Sequence, residues 1–227
     1  ANRLVRVGLR ARDVTGPIGP SNLVFLVDVS GSMHDENKLP LLKQSLKLMV
    51  EQMTEDDRVA IVVYANDSGV RLESTAGRDK ATSLAGIGGL SAGGAPKGGP
   101  GLQTPAAEFR RVLFRSPTLK HFVKGGVNRV LLATDGDFNV GVTDQGELVK
   151  LIQEKARGGV FLSVLGVGTG NLKDATLEQV ADRGNGHYAY IDSKREAEKV
   201  LVEELVGTLM TVAKDVKLQI EFNPAEV

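Results

Sequence analysis

The densest set of chemically useful side chains lies in Asp28-Val29-Ser30-Gly31-Ser32. One carboxylate and two hydroxyls stand two residues apart, so a turning chain converges them on one small volume. All three are hard oxygen donors, suited to Mg²⁺, Mn²⁺ or Ca²⁺ and not to zinc or copper. A second carboxylate, Asp135, follows an apolar run in Thr134-Asp135-Gly136. Two carboxylates facing one gap repel and shift each other's pKa, and a divalent cation between them relieves that repulsion. With few protein charges and several hydroxyls around it, the ion stays Lewis-acidic and can accept a carboxylate from a partner. Thr134 and Asp137 are expected outside the ligand set, as supporting groups or, for Asp137, as a solvated loop carboxylate. The plainer alternative is a strand end with a capping hydroxyl, because Asp and Ser both cap helices well.

These residues are useful only if the elements around them hold them together. Leu23-Val24-Phe25-Leu26-Val27 is a continuous apolar run ending in Asp28, the pattern of a strand buried on both faces. Leu39, Leu42, Leu46, Met49, Val50 and Met53 recur at helical spacing and predict an amphipathic helix over 39–53. Further apolar runs fall at 59–63, 130–133, 160–165 and 187–191. Helical patterns fall at 79–90, 145–155, 175–181 and 195–209. Val70-Arg71-Leu72 follows the second strand too closely for a crossover helix and is expected as an antiparallel edge hairpin. The fold class is α/β: a doubly wound, mainly parallel, six-stranded sheet with helices on both faces. In such a sheet ligands bind at the carboxyl ends of the strands, beside the topological switch point, which is where Asp28 and Asp135 would lie.

Both ends of the chain read differently. Leu4 to Arg10 and Val216 to Phe222 alternate apolar and polar residues, the pattern of strands with one wet face. The α/β unit is therefore assigned to 21–212. Residues 1–20 and 213–227 are assigned to a flanking antiparallel β-domain whose remainder is expected beyond Val227.

Composition excludes several function classes. The 227 residues carry 28 Lys plus Arg and 28 Asp plus Glu, so there is no net charge to hold a nucleic-acid backbone or an anionic membrane. The absence of cysteine removes disulfides, thiolate metal sites and a cysteine nucleophile. No apolar run approaches the roughly 18 residues that span a bilayer, so no membrane insertion by these residues is expected. His34, His121 and His187 are scattered and form no ligand pair. Gly166-Val167-Gly168-Thr169-Gly170 lacks the third glycine of a dinucleotide fingerprint, with Asn171 in its place, and reads as a tight turn. The Gly-rich stretch 91–105 must be a loop, and without Gly-Lys-Ser/Thr it is not a phosphate cradle. Downstream, Arg110-Arg111-Val112-Leu113-Phe114-Arg115-Ser116 matches one translated frame of a common sequencing adapter, and no site residue is assigned to it.

Asp28-Val29-Ser30-Gly31-Ser32 together with Thr134-Asp135-Gly136 resembles the metal-ion-dependent adhesion site of von Willebrand factor type A domains. The resemblance covers about 21 to 209. Asp135-Gly136-Asp137-Phe138-Asn139-Val140-Gly141-Val142 and Ala213-Lys214-Asp215-Val216 are similar to a bacterial, envelope-associated subgroup. The resemblance implies a protein-interaction or adhesion module with Asp28, Ser30, Ser32 and Asp135 around Mg²⁺, Mn²⁺ or Ca²⁺. It also implies a protein ligand whose Asp or Glu completes the coordination, and a location in the bacterial envelope or periplasm. One position departs from the pattern. Where the family has a metal-binding threonine, the loop Gly93-Gly94-Ala95-Pro96-Lys97 places Pro96, which offers no donor, and Lys97 adds a cation. The nearest replacement hydroxyl is Thr104. Two other readings stand beside this one. A metal-dependent phosphohydrolase of the haloacid-dehalogenase type would use Asp28 as nucleophile, but it needs a general acid two residues on, where Ser30 stands. A domain that has lost its metal would serve as a scaffold only.

Overall fold

A computed structural model describes residues 8, 19–65, 68–93, 122–136, 142–168, 174–204 and 218–221. The apolar runs become strands β1 (Ser21–Asp28), β2 (Arg58–Tyr64), β3 (Ser68–Ala76), β4 (Val127–Thr134), β5 (Val160–Val167) and β6 (Tyr188–Ile191). Between them lie helices α1 (Leu39–Gln52), α2 (Lys80–Gly88), α3 (Val142–Arg157), α4 (Asp174–Arg183) and α5 (Lys194–Glu198), with a 3₁₀ turn at Gly31–His34. Among the described residues these strands form one sheet in the order β3-β2-β1-β4-β5-β6. Every pairing is parallel except β2 with β3, the expected edge hairpin.

Strand β1 explains the layering. All eight of its residues are buried, and a strand's side chains alternate between faces. Leu23, Phe25 and Val27 join Leu42, Leu46 and Met49 of α1 in one core. Val24 and Leu26 join Leu132, Ile152 of α3 and Leu177 of α4 in the other. A continuous apolar run is what a strand with helices on both faces requires.

From β1 the chain winds outward through β2 and β3, then returns to place β4 on the other side of β1. The direction of winding reverses between β1 and β4, the topological switch point at which sheets of this kind have a crevice at the carboxyl ends of their strands. The register Val27↔Ala133 brings Asp28 level with Thr134, so the ends of both strands face that crevice.

At the amino ends of the strands, opposite this crevice, Asp57 ties the start of β1 to the α1–β2 turn. Its carboxylate accepts the Ser21 N–H at 2.7 Å, the Thr54 N–H at 2.7 Å and the Thr54 hydroxyl at 2.8 Å. Asp57→Ala is expected to cost about 1–2 kcal/mol by orphaning these donors. The readout is a lower urea midpoint with an unchanged m-value, and an unmoved midpoint would contradict it.

Some boundaries differ from expectation. Helix α3 begins at Val142, three residues before the apolar periodicity shows it. Of the helix expected over 195–209, the described part starts at Lys194, where Ser193 caps α5 by accepting the Glu196 N–H at 3.3 Å, and passes directly into a π turn over Lys199–Glu204; 205–209 lie outside the described residues. Gly168, just after β5, has φ 100°, and the rest of the turn expected over 166–170 lies outside the described residues. The alternating segments at the two ends fall largely outside the described residues. Within them, Leu218 and Ile220 are 56% and 48% exposed.

Candidate metal centre

The site begins where β1 ends. The Val29 N–H still donates to the Tyr64 carbonyl at 2.9 Å, after which the chain leaves the sheet. The Ser30 N–H turns back to donate to Asp28 Oδ1 at 2.8 Å, an Asx turn that curls the loop over the carboxylate. Met33, fully buried, anchors the following 3₁₀ turn in the core, and its N–H donates to the Ser30 carbonyl at 3.1 Å. This curl brings the Ser30 and Ser32 hydroxyls to 2.9 Å from each other. Ser32 is exposed, so the ring of oxygens opens to solvent on its side.

The floor of the site is polar but dry. Asp28 is 3% exposed and Thr134 is fully buried. The Thr134 hydroxyl donates to Asp28 Oδ2 at 3.3 Å and accepts the Gly136 N–H at 3.3 Å. Burial raises the Asp28 pKa above the ordinary aspartate value, opposed by the hydrogen bonds from Ser30, and the negative charge of Asp135 raises it further. Tyr64, the register partner of Asp28, is buried beside it. Burial and then the Asp28 charge hold its phenol well above its usual pKa, so it stays neutral.

Asp135 lies across the crevice with its side chain 4% exposed. Its Oδ1 is buried with no hydrogen-bond partner among the described residues. Its Oδ2 accepts from the Lys38 ammonium at 3.0 Å. Lys38 also donates to the Ser32 carbonyl at 2.8 Å and lies 3.6 Å from Asp35 Oδ2. Burial alone pushes the Lys38 pKa down, but the hydrogen bond and charge of Asp135, with Asp35, leave it above the ordinary lysine value.

Lys38 is the functional neighbour that the sequence reading missed. A signal existed: Lys38 is the N-cap of α1, where the helix dipole disfavours a cation and Ser, Thr, Asp or Asn is preferred. The structure thus brings together Asp28, Ser30, Ser32, Thr134 and Asp135. Thr104, Asp137, Pro96 and Lys97 lie outside the described residues. His34 and His187 are exposed and far apart in the fold, one in the 3₁₀ turn and one at the start of β6.

These residues fit a hard divalent cation. The donors are all oxygen, Asp135 Oδ1 is buried with no hydrogen-bond partner among the described residues while Lys38 engages only Oδ2, and the charge of Asp135 raises the Asp28 pKa. Among the described residues no group of three or more His, Cys, Asp or Glu could hold a metal, so hydroxyls must supply part of any coordination.

Comparison with known proteins agrees with the fold. A family model described as von Willebrand factor type A domain matches residues 22–204, and one described as the C-terminal part of uncharacterized protein YfbK matches 207–227. Uncharacterized protein YfbK of Escherichia coli (strain K12) is 48% identical over 225 residues, covering 99% of this chain and 38% of that protein. The chain therefore spans well under half the length of this relative. The crystal structure of conserved hypothetical protein BatB from Bacteroides thetaiotaomicron superposes with TM-score 0.65 at 21% identity, over 84% of this chain and 98% of that one. Proximal thread matrix protein 1 from the mussel byssus, in a structure with a zinc-occupied MIDAS motif, superposes with TM-score 0.61 at 20% identity. That match covers 83% of this chain and 45% of the mussel chain.

Proposed function

We propose that this chain, which belongs to the von Willebrand factor type A family, is a protein-interaction module that holds a divalent cation at Asp28, Ser30, Ser32 and Asp135. The cation would be Mg²⁺, with Mn²⁺ or Ca²⁺ as substitutes, and it would supply a Lewis-acidic point for the Asp or Glu of a protein ligand. The observation that carries this reading is that Asp135, at the end of β4 beside Asp28, has a buried Oδ1 with no hydrogen-bond partner among the described residues.

The chain's own residues do the positioning. Ser30 N–H and Thr134 hold the two Asp28 oxygens in place, and the Asx turn presents the two hydroxyls on the solvent side, where a ligand can arrive. Thr134 is a supporting group beneath the site. Asp137 and Thr104 are proposed, on the family resemblance alone, as a supporting carboxylate and as a replacement for the hydroxyl that Pro96 lacks. We extend the reading to the bacterial envelope on the same resemblance. Among the described residues no helix is long and apolar enough to cross a membrane.

The phosphohydrolase reading is disfavoured by the same geometry. Asp28 is buried with both oxygens engaged, and Ser30 cannot deliver a proton near neutral pH where a general acid would be needed. The metal-free scaffold reading is favoured by one observation, the Lys38–Asp135 ion pair, which already neutralises one carboxylate.

Ser30→Ala tests the assignment without disturbing the core. It removes one hydroxyl donor and should weaken Mg²⁺ binding by about tenfold, comparable with the loss of a group that supports a metal ligand. Calorimetric titration reads the difference, and equal affinity in the two proteins would contradict the assignment.

A further inference from the structure

We infer that the Lys38 ammonium is a tethered counter-cation that competes with the divalent ion for Asp135, so that cation binding and lysine withdrawal are one event. The inference rests on the reading of Asp28, Ser30, Ser32 and Asp135 as the cation site.

The geometry supplies both positions that such an exchange needs. In the inward position the ammonium sits 3.0 Å from Asp135 Oδ2 and 2.8 Å from the Ser32 carbonyl, with the lysine side chain 17% exposed and that of Asp135 4% exposed. A divalent ion drawing on the same carboxylate would stand within a few ångströms of this ammonium in a poorly screened crevice, where like charges repel most strongly. The outward position is Asp35, three residues back in the turn before α1, 70% exposed and already 3.6 Å from the ammonium. A short swing exchanges a buried carboxylate for a solvated one without leaving the lysine unpaired.

The stem of the lysine is guided as well. A Cβ on Gly168 would lie 2.9 Å from both Lys38 Cγ and Cε, so the glycine leaves room for the stem against the end of β5. Gly168 is itself held by the Tyr190 hydroxyl, which donates to its carbonyl. Lys38 is therefore seated in the crevice wall and is not a surface lysine that drifts over it. Without the cation, the ammonium neutralises Asp135 and spares the domain an uncompensated buried charge. With the cation, the lysine is redundant and withdraws.

The test is Mn²⁺ titration of four chains by calorimetry: the wild type, Lys38→Met, Asp35→Asn and the double variant. Lys38→Met keeps the stem and removes the charge, so it should bind Mn²⁺ about tenfold more tightly, the scale of releasing a partly buried ion pair. Asp35→Asn alters an exposed side chain that the fold does not depend on. It removes the outward position and should weaken binding about two- to threefold. In the Lys38→Met background the same Asp35 change should do little, because there is no lysine left to receive; this coupling separates the exchange from a general loss of negative charge. Mn²⁺ affinity in Lys38→Met equal to or weaker than in the wild type would overturn the inference and leave the cation site standing. An Asp35 effect of the same size in both backgrounds would also overturn it. Absence of binding in all four chains would overturn the site assignment and the inference together.

Discussion

Asp28→Asn is expected to weaken divalent-cation binding by at least about a hundredfold, and at the same time to make the cation-free domain more stable. The first effect follows from position. Groups that merely support a metal ligand are worth about 10- to 100-fold in affinity, and Asp28 is assigned as a ligand at the floor of the crevice. The second effect follows from burial. Asp28 is 3% exposed, and its pKa is raised first by burial, against the hydrogen bonds of Ser30, and further by the charge of Asp135. A carboxyl whose pKa is higher in the folded than in the unfolded chain binds its proton more tightly when folded. Below its unfolded pKa the group is protonated in both states and costs nothing. As pH rises through the raised folded value the proton is lost, and the folded state carries the cost of a buried charge. The amide keeps an oxygen for the Ser30 N–H and removes that cost, and the Thr134 hydroxyl must turn from donating to accepting, so at neutral pH the variant should unfold at a higher temperature than the wild type. The gain should shrink as pH falls through the raised Asp28 value, because the wild-type carboxyl is then neutral as well. Thermal unfolding with and without Mg²⁺ reads both effects. A variant still stabilised by Mg²⁺ to the wild-type extent would contradict the assignment of Asp28.

Phe25→Ala should be the most destabilising of these changes, at about 3–5 kcal/mol. Phe25 is fully buried in the central strand, its register partners are Ile61 of β2 and Leu131 of β4, and it packs in the core shared with α1. No partner can close a cavity at the middle of the sheet without moving β1 itself. For a domain of this size the loss corresponds to roughly 6–20 °C in Tm. Asp28 lies three residues further along the same strand, so cation affinity should fall as well wherever the domain remains folded. Urea denaturation reads the stability term, and a loss below about 1.5 kcal/mol would show that β1 is not the spine of the core.

The sheet was legible because its strands are buried on both faces. A run such as 23–27 has no polar residue to interrupt it, and the antiparallel β3 betrayed itself by following β2 too closely for a helix. The convergence of Asp28, Ser30, Ser32 and Asp135 was legible because the two short motifs that contain them follow two of those runs, and the strand order puts the two strand ends side by side. Lys38 was not, since its meaning depends on the third dimension. In the sequence it is one charge in a polar stretch. Only the 3₁₀ turn, pinned by buried Met33, folds that stretch back so that the ammonium reaches Asp135, 97 positions away. Its presence at a helix N-cap was the local irregularity that pointed to a tertiary role. The Asp57 tie between the start of β1 and the preceding turn was hidden for a similar reason: Asp56-Asp57 announces a turn, but not which donors the second carboxylate collects.

The central claim is that one divalent cation is held at the β1–β4 crevice, and Mn²⁺ binding to the wild-type chain followed by electron paramagnetic resonance tests it most directly. Free Mn²⁺ gives a sharp six-line signal that is lost on binding. The account predicts that one equivalent per chain disappears from this signal, that excess Mg²⁺ returns it, and that Asp28→Asn prevents the loss. A free-ion signal unchanged by the wild-type protein, or a loss that Asp28→Asn leaves intact, would contradict it.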